Sequence, residues 1–187
     1  MLKRWNGPRA AWGGLALCVL TAAAPGARAD EAPCPAPPAP LTLEGLARLS
    51  WPELERLYRE AEPGAVPTGY ARGRAMDCPY RRLAGARAAL TGALWHGKVF
   101  DCAGAGLVNQ WCGFRAIRAE VYYGPSWLDG RPAIVMDYSQ TSKVWADVRD
   151  EVREVAPGLY LGRMYRRKPC GPAFRMYFAL QACPGAH

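Results

Sequence analysis

Few residues in this chain are suited to chemistry. Its two histidines are His96 and the last residue, His187. His96 and Lys98 flank Gly97, where backbone could approach a ligand closely, but His96 as a general base needs an orienting partner. Asp137 closes an apolar run in line with Ala133 and Val135. A carboxyl pointing where apolar groups point would have a raised pKa, useful for acid–base work. The simpler account, which weighs more, is that Asp137 enters the turn at Ser139-Gln140. The run Arg149-Asp150-Glu151-Val152-Arg153-Glu154 joins three acids to two arginines. Arg149, Glu151 and Arg153 could hold a polar ligand head at the mouth of a barrel. A solvated strand with cross-strand ion pairs, each worth about 0–1 kcal/mol, is the favoured account. The chain carries no Gly-x-Ser-x-Gly element, phosphate loop or dinucleotide fingerprint.

Of the seven cysteines, Cys18 lies in an N-terminal apolar run, which leaves Cys34, Cys78, Cys102, Cys112, Cys170 and Cys183. An even set outside the cytosol reads as three disulfides, with fifteen possible connectivities. The turn-forming segment Gly104-Ala105-Gly106 favours Cys102–Cys112; the expected set is completed by Cys170–Cys183, which needs the chain end to fold back, and Cys34–Cys78, all with a structural role. No Cys-x-x-Cys pair occurs and histidine is scarce, so neither a metal nor another cofactor is expected.

The compartment follows from the first residues. Lys3, Arg4 and Arg9 precede an apolar run from Ala10 to about Ala24, and Ala27-Arg28-Ala29 suits signal peptidase. Residues 1–29 therefore read as a secretory signal, and 30–40, rich in proline and alanine, as an extended lead. Residues 41–187 form one domain. Cleavage would remove four basic residues and no acid, lowering the formal charge from +8 to +4. That residual charge does not indicate a nucleic-acid binder. No later stretch suits a membrane span. The signal, the excess of Arg over Lys and the Ala, Gly and Pro content suggest a bacterial periplasmic or secreted protein.

The elements that must position these residues are mainly strands. Leu41 to Glu62 reads as helical, with Ser50 as N-cap, Glu53 completing a capping box, Pro52 in the first turn, and Leu54, Leu57 and Tyr58 as the apolar stripe. Pro67 to Asp77 is a bent strand or loop, and Arg82 to Leu94 a second helix. Period-two patterning then marks Trp95 onward, Phe114–Tyr123, Ala133–Tyr138, Leu159–Arg166 and Phe174–Ala182 as strands. Lys143–Val155 has valines at helical spacing, but valine favours a strand. The expected class is α+β, mainly β. N-terminal helices precede about seven strands in an antiparallel meander that closes into a lipocalin-like barrel and so hides its edges.

Trp95-His96-Gly97-Lys98-Val99-Phe100, Ser126-Trp127-Leu128-Asp129-Gly130-Arg131-Pro132 and the stretch from Asp150 to Gly162 resemble bacterial secreted domains of unknown function. The Trp-x-Gly-Lys element is similar to GXWXG-type domains, over roughly Pro67 to Leu180. Here Gly92 stands three residues before Trp95, where that motif would have two. The resemblance implies a lipocalin-like barrel and no defined reaction.

Ten tryptophans and tyrosines from Trp95 to Tyr177, among them Trp111, Trp127, Tyr138, Trp145 and Tyr160, would fill a core or line a cavity. The first functional expectation is a barrel that binds a small apolar or amphipathic ligand through Trp95, Lys98, Trp127, Tyr138, Arg149, Glu151, Arg153 and Tyr160. The alternatives are an enzyme using the same cavity, with His96, Asp137 and the Arg149–Arg153 group as candidates, and a non-catalytic envelope protein that contacts a partner by its surface.

Overall fold

The computed structural model describes residues 40–76 and 93–182. Thr42 caps α1 (Leu43–Leu46) by accepting a hydrogen bond from the Gly45 amide at 3.0 Å. At the start of α2 (Trp51–Glu60), the Glu53 carboxylate accepts from the Ser50 amide at 2.8 Å and from its hydroxyl at 2.6 Å. The capping expectation therefore holds. It stabilises the helix start by satisfying a donor the helix leaves unpaired.

Eight strands follow: β1 (Gly69–Ala75), β2 (Trp95–Phe100), β3 (Gly106–Trp111), β4 (Phe114–Pro125), β5 (Pro132–Asp137), β6 (Val148–Ala156), β7 (Leu159–Lys168) and β8 (Gly171–Ala182). Each pairs antiparallel with the next, and β8 returns to β1, so the barrel is closed. Closure leaves no edge to template another chain. The meander was legible, one strand short of the eight among the described residues. Pro67 to Asp77 supplies a strand, β1, and the ambiguous stretch from Lys143 becomes strand only at Val148. The helix expected over Arg82 to Leu94 falls mostly on 77–92, outside the described residues.

Two apolar layers hold the fold. Inside the barrel, Trp95, Leu107, Val121, Ile134, Met136, Val152, Phe178 and Leu180 form one buried cluster. Outside it, Leu43, Leu46, Leu54 and Tyr58 of the helices pack on Leu159, Leu161, Tyr177 and Ala179 of β7 and β8. An eight-stranded barrel is just wide enough for its own side chains or one small ligand. Here two aromatics fill the centre, Trp95 and Phe178, with ring centroids 5.9 Å apart and edge to face. Glycines make room for them. A Cβ on Gly162 would lie 2.3 Å from the Phe178 ring, and one on Gly73 2.5 Å from Trp95. Gly97, at φ 138°, faces the Ala71 carbonyl at 2.1 Å from where its Cβ would stand. The close approach at Gly97 is thus made by the β1 backbone.

The Cys102–Cys112 and Cys170–Cys183 pairings are corrected. Cys102, Cys112 and Cys170 are free and exposed. Cys102 follows β2, while the Cys112 amide donates to the Leu94 carbonyl just before β2. The length of β3, roughly 20 Å, separates them, and a disulfide requires Cα atoms within about 7 Å. Nearness in sequence misleads here because the two residues cap opposite ends of one strand. Cys170 precedes β8, whose twelve residues put roughly 40 Å between it and Ala182. Cys183, Cys34 and Cys78 lie outside the described residues.

Candidate functional site

Within the barrel, Lys98 is almost fully buried, and its ammonium meets three acceptors. They are Tyr138 Oη at 2.6 Å, Asp150 Oδ2 at 2.9 Å and Asn109 Oδ1 at 3.0 Å. The rings of Trp95, Tyr138 and Phe178 stand 5.4–5.5 Å from its nitrogen. Burial pushes the Lys98 ammonium below its ordinary value, and the Asp150 charge and hydrogen bond offset only part of that shift. Burial and the same charge push the Tyr138 phenol well up.

Asn109 ties this group to the wall. Its Oδ1 also accepts from Trp95 Nε1 at 3.1 Å, and its Nδ2 donates to the Ile117 carbonyl at 2.9 Å and to Tyr138 Oη at 3.2 Å. Ile117 has φ 66°, a left-handed conformation that a β-branched residue rarely adopts. It lies beside the register shift between Val108 and Asn109. Such strain costs about 1–3 kcal/mol. The strained carbonyl is one that the buried amide uses.

Beside this network lies a cavity of about 50 Å³, lined by Lys98, Asn109 and Asp150 on its polar side and by Ala75, Trp95, Trp111, Trp145, Met164, Met176 and Phe178 on the other. Two of its lining residues each carry a buried polar atom with no hydrogen-bond partner among the described residues: Asp150 Oδ1 and Trp111 Nε1. Among the described residues no group of three or more metal-binding side chains occurs. The arrangement suits binding of a small molecule with one polar end.

No family model and no curated protein matches this chain. A crystal structure of a protein from Thermomonospora curvata is similar to it, with a TM-score of 0.49 and 20% identity over 72% of this chain and 88% of that one.

The site residues expected from the sequence divide into separate groups. Trp95, Lys98 and Tyr138 come together inside the barrel, so the Trp-x-Gly-Lys element supplies two of the three. Tyr160 is also inside, but next to the β6–β7 turn, where its hydroxyl donates to the Ala65 carbonyl at 2.7 Å. Trp127, Arg149, Glu151 and Arg153 lie on the other face of the wall. There Glu151 accepts from the Ser126 hydroxyl at 2.5 Å and the Trp127 amide at 2.9 Å. Arg149 stacks over Trp127 at 4.2 Å and makes an oblique ion pair with Glu151 at 2.7 Å, while its Nη2 donates to the Pro125 carbonyl. Arg153, fully buried, forms a bidentate pair with Asp129 at 2.7 and 2.9 Å and donates to the Tyr58 carbonyl. These residues are therefore neither a ligand head group at a mouth nor a solvated strand. They are a buried clamp between β6, α2 and the 126–131 loop.

The catalytic expectations are also corrected. His96 is exposed on β2. Asp137, on β5, accepts from Arg167 at 2.6 Å, from the Ser139 amide at 2.9 Å and from the Tyr122 hydroxyl at 3.2 Å. Burial works against its charge, but the Ser139 hydrogen bonds and the Arg167 guanidinium outweigh it and hold its pKa below the ordinary value. The raised pKa of the acid–base reading is absent because the partners of Asp137 favour the carboxylate, and the Ser139 amide bond agrees with the favoured account, in which Asp137 enters the turn. β2 and β5 are three strands apart round the barrel, roughly 14 Å along the wall, so the two residues share no proton.

Sequence reasoning took Asp150 only as one acid of a charged run and passed over Asn109. The signal for Asp150 was present. Val148, Asp150 and Val152 share one face of β6, and both valines are buried inside. The same in-line argument applied to Asp137 would have picked it out.

Proposed function

We propose that this protein binds a small amphipathic molecule in the barrel cavity. The observation that carries the reading is a buried carboxylate oxygen, Asp150 Oδ1, that has no partner among the described residues and belongs to a residue beside an aromatic and methionine wall. A buried polar group without a partner costs about 1–3 kcal/mol, which a bound polar end would recover. Methionine side chains adapt to irregular shapes, so Met164 and Met176 suit a wall that takes a ligand. The size of the cavity bounds the ligand. Roughly four water-sized groups fill such a space, so a long acyl chain does not fit. At about 1.5 kcal/mol per atom for the best small ligands, affinity reaches tens of micromolar at most. The basic, apolar and small-residue order of residues 1–29 supports a role outside the cytosol.

The test is a titration with small aromatic and aliphatic alcohols, amines and acids, followed by tryptophan fluorescence and by indole N–H resonances. Shifts at Trp111 and Trp145 that saturate, and that vanish in Met164→Trp with the fold retained, are expected. Saturable binding unaffected by that filled cavity would place the ligand elsewhere and sink the reading.

A further inference from the structure

We infer that the ligand's polar end is a neutral hydroxyl, held between Asp150 and Trp111. This rests on the binding reading above and narrows its chemistry. The argument is a count of hydrogen-bonding capacity. Lys98 has three N–H groups and donates to three acceptors. Asn109 uses both its N–H groups and both lone pairs of Oδ1. Tyr138 accepts from Lys98 and Asn109 and donates to Asp150 Oδ2 at 3.1 Å. Each of these is saturated. Lys98 therefore has nothing left to offer an anionic ligand, although it is the cation of the described lining.

Among the described lining residues two buried polar groups remain without a partner: one acceptor, Asp150 Oδ1, and one donor, Trp111 Nε1. Asp150 is itself buried, at 5% exposure. A carboxylate ligand could accept from Trp111 but would set its charge against the free oxygen of Asp150. An ammonium ligand could donate to Asp150 but leaves the Trp111 N–H unpaired. It would also bring a second cation to a site where Lys98 and Asp150 already balance. A hydroxyl oxygen donates to Asp150 and accepts from Trp111, and it adds no charge to a low-dielectric interior. It is also the smallest group that does both, which matters in about 50 Å³.

The experiment compares 1-butanol, butylamine and butyrate at neutral pH on the full chain, followed by the Trp111 indole N–H resonance. Butanol is expected to bind at least ten-fold more tightly than either ion and to move that resonance. Trp111→Phe keeps a ring and removes the donor, and should weaken butanol about five-fold, the effect of one neutral hydrogen bond. Asp150→Asn should relax the discrimination against butyrate. If that variant does not fold, Trp111→Phe carries the test alone. Equal binding of all three probes, or preference for an ion, overturns the hydroxyl assignment and leaves cavity binding standing. Saturable butanol binding that Trp111→Phe leaves unchanged also overturns it. If none of the probes moves any cavity resonance, the binding reading falls with it.

Discussion

Lys98 Nζ lies 2.9 Å from Asp150 Oδ2, with 2% and 6% of the two side chains exposed. A pair so buried is strongly asymmetric in its energetics. Removing one partner strands a charge, at a cost of about 3–5 kcal/mol, whereas replacing both by apolar groups is often close to neutral. Lys98→Met is expected to lower the unfolding free energy by about that amount, and Lys98→Met with Asp150→Leu to recover most of it. Denaturant unfolding of the three proteins measures this. A single variant as stable as the parent would show that the pair is not desolvated.

Stability should pass through a maximum on the alkaline side. Burial lowers the Lys98 pKa from its ordinary 10.5. Between the lowered value and 10.5 the unfolded chain holds a proton that the folded chain does not, so stability rises with pH there. Tyrosines oppose this. Burial, with the Glu154 charge, pushes Tyr160 up to about 12. Burial, partly offset by Arg163, does the same for Tyr177. Their contribution is complete below pH 10 and is lost as pH climbs from 10 toward 12. The unfolding midpoint against pH should climb and then fall above about pH 10. Phenolate absorbance should appear in two phases, the later one together with unfolding. A single phase at the ordinary phenol value would contradict the burial of these rings.

Gly162→Ala places a methyl group against the Phe178 ring, 2.3 Å from its nearest carbon before relaxation. The ring is confined by Trp95, so it cannot simply turn aside. Overpacking of this kind costs about 1–3 kcal/mol. Phe178→Leu in the same chain should relieve part of that cost. A double-mutant cycle reads the coupling, and additive losses would mean that the two positions do not meet.

Much of this was legible in the sequence, for reasons that also explain what was missed. The Ser50–Glu53 box and the alternation Ala119, Val121 are local signals, and both elements formed where they pointed. Arg149, Glu151 and Arg153 are polar on one face of β6, which reads as solvated. They are buried because α2 and the 126–131 loop dock over them. That docking depends on contacts about ninety residues apart, such as Arg153 to Tyr58, and no local period encodes it. The polar network inside escaped for the opposite reason. Asp150 sits in a charged run, so its shared face with Val148 and Val152 was masked by its neighbours.

The thiols give a simple check on the barrel register. With Cys102 and Cys112 at opposite ends of β3, both should alkylate in the native protein purified without oxidant. Peptide mapping should find each one modified separately. A Cys102–Cys112 linked peptide from native protein would refute the β2–β3–β4 register.

Arg153 offers the sharpest test that the two polar groups act independently. Its guanidinium reaches Asp129 through two nitrogens, the carbonyls of Tyr58, Arg131 and Pro132, and the Tyr58 ring face at 4.6 Å. Lysine cannot reproduce that fork, so Arg153→Lys breaks most of these bonds while keeping the charge. Arg153→Met should destabilise by about 3–5 kcal/mol, because Asp129 loses its partner and α2 an anchor, and Arg153→Lys by less, because the charge stays beside Asp129. Hydrogen exchange should accelerate first in α2, which is joined to β6 through this side chain. Butanol affinity in the cold, where the variants stay folded, should not change, since Arg153 and the cavity lie on opposite faces of the wall. Loss of affinity without loss of fold would mean that the outer clamp and the inner cavity are coupled through β6, whose Asp150 belongs to one and Arg153 to the other.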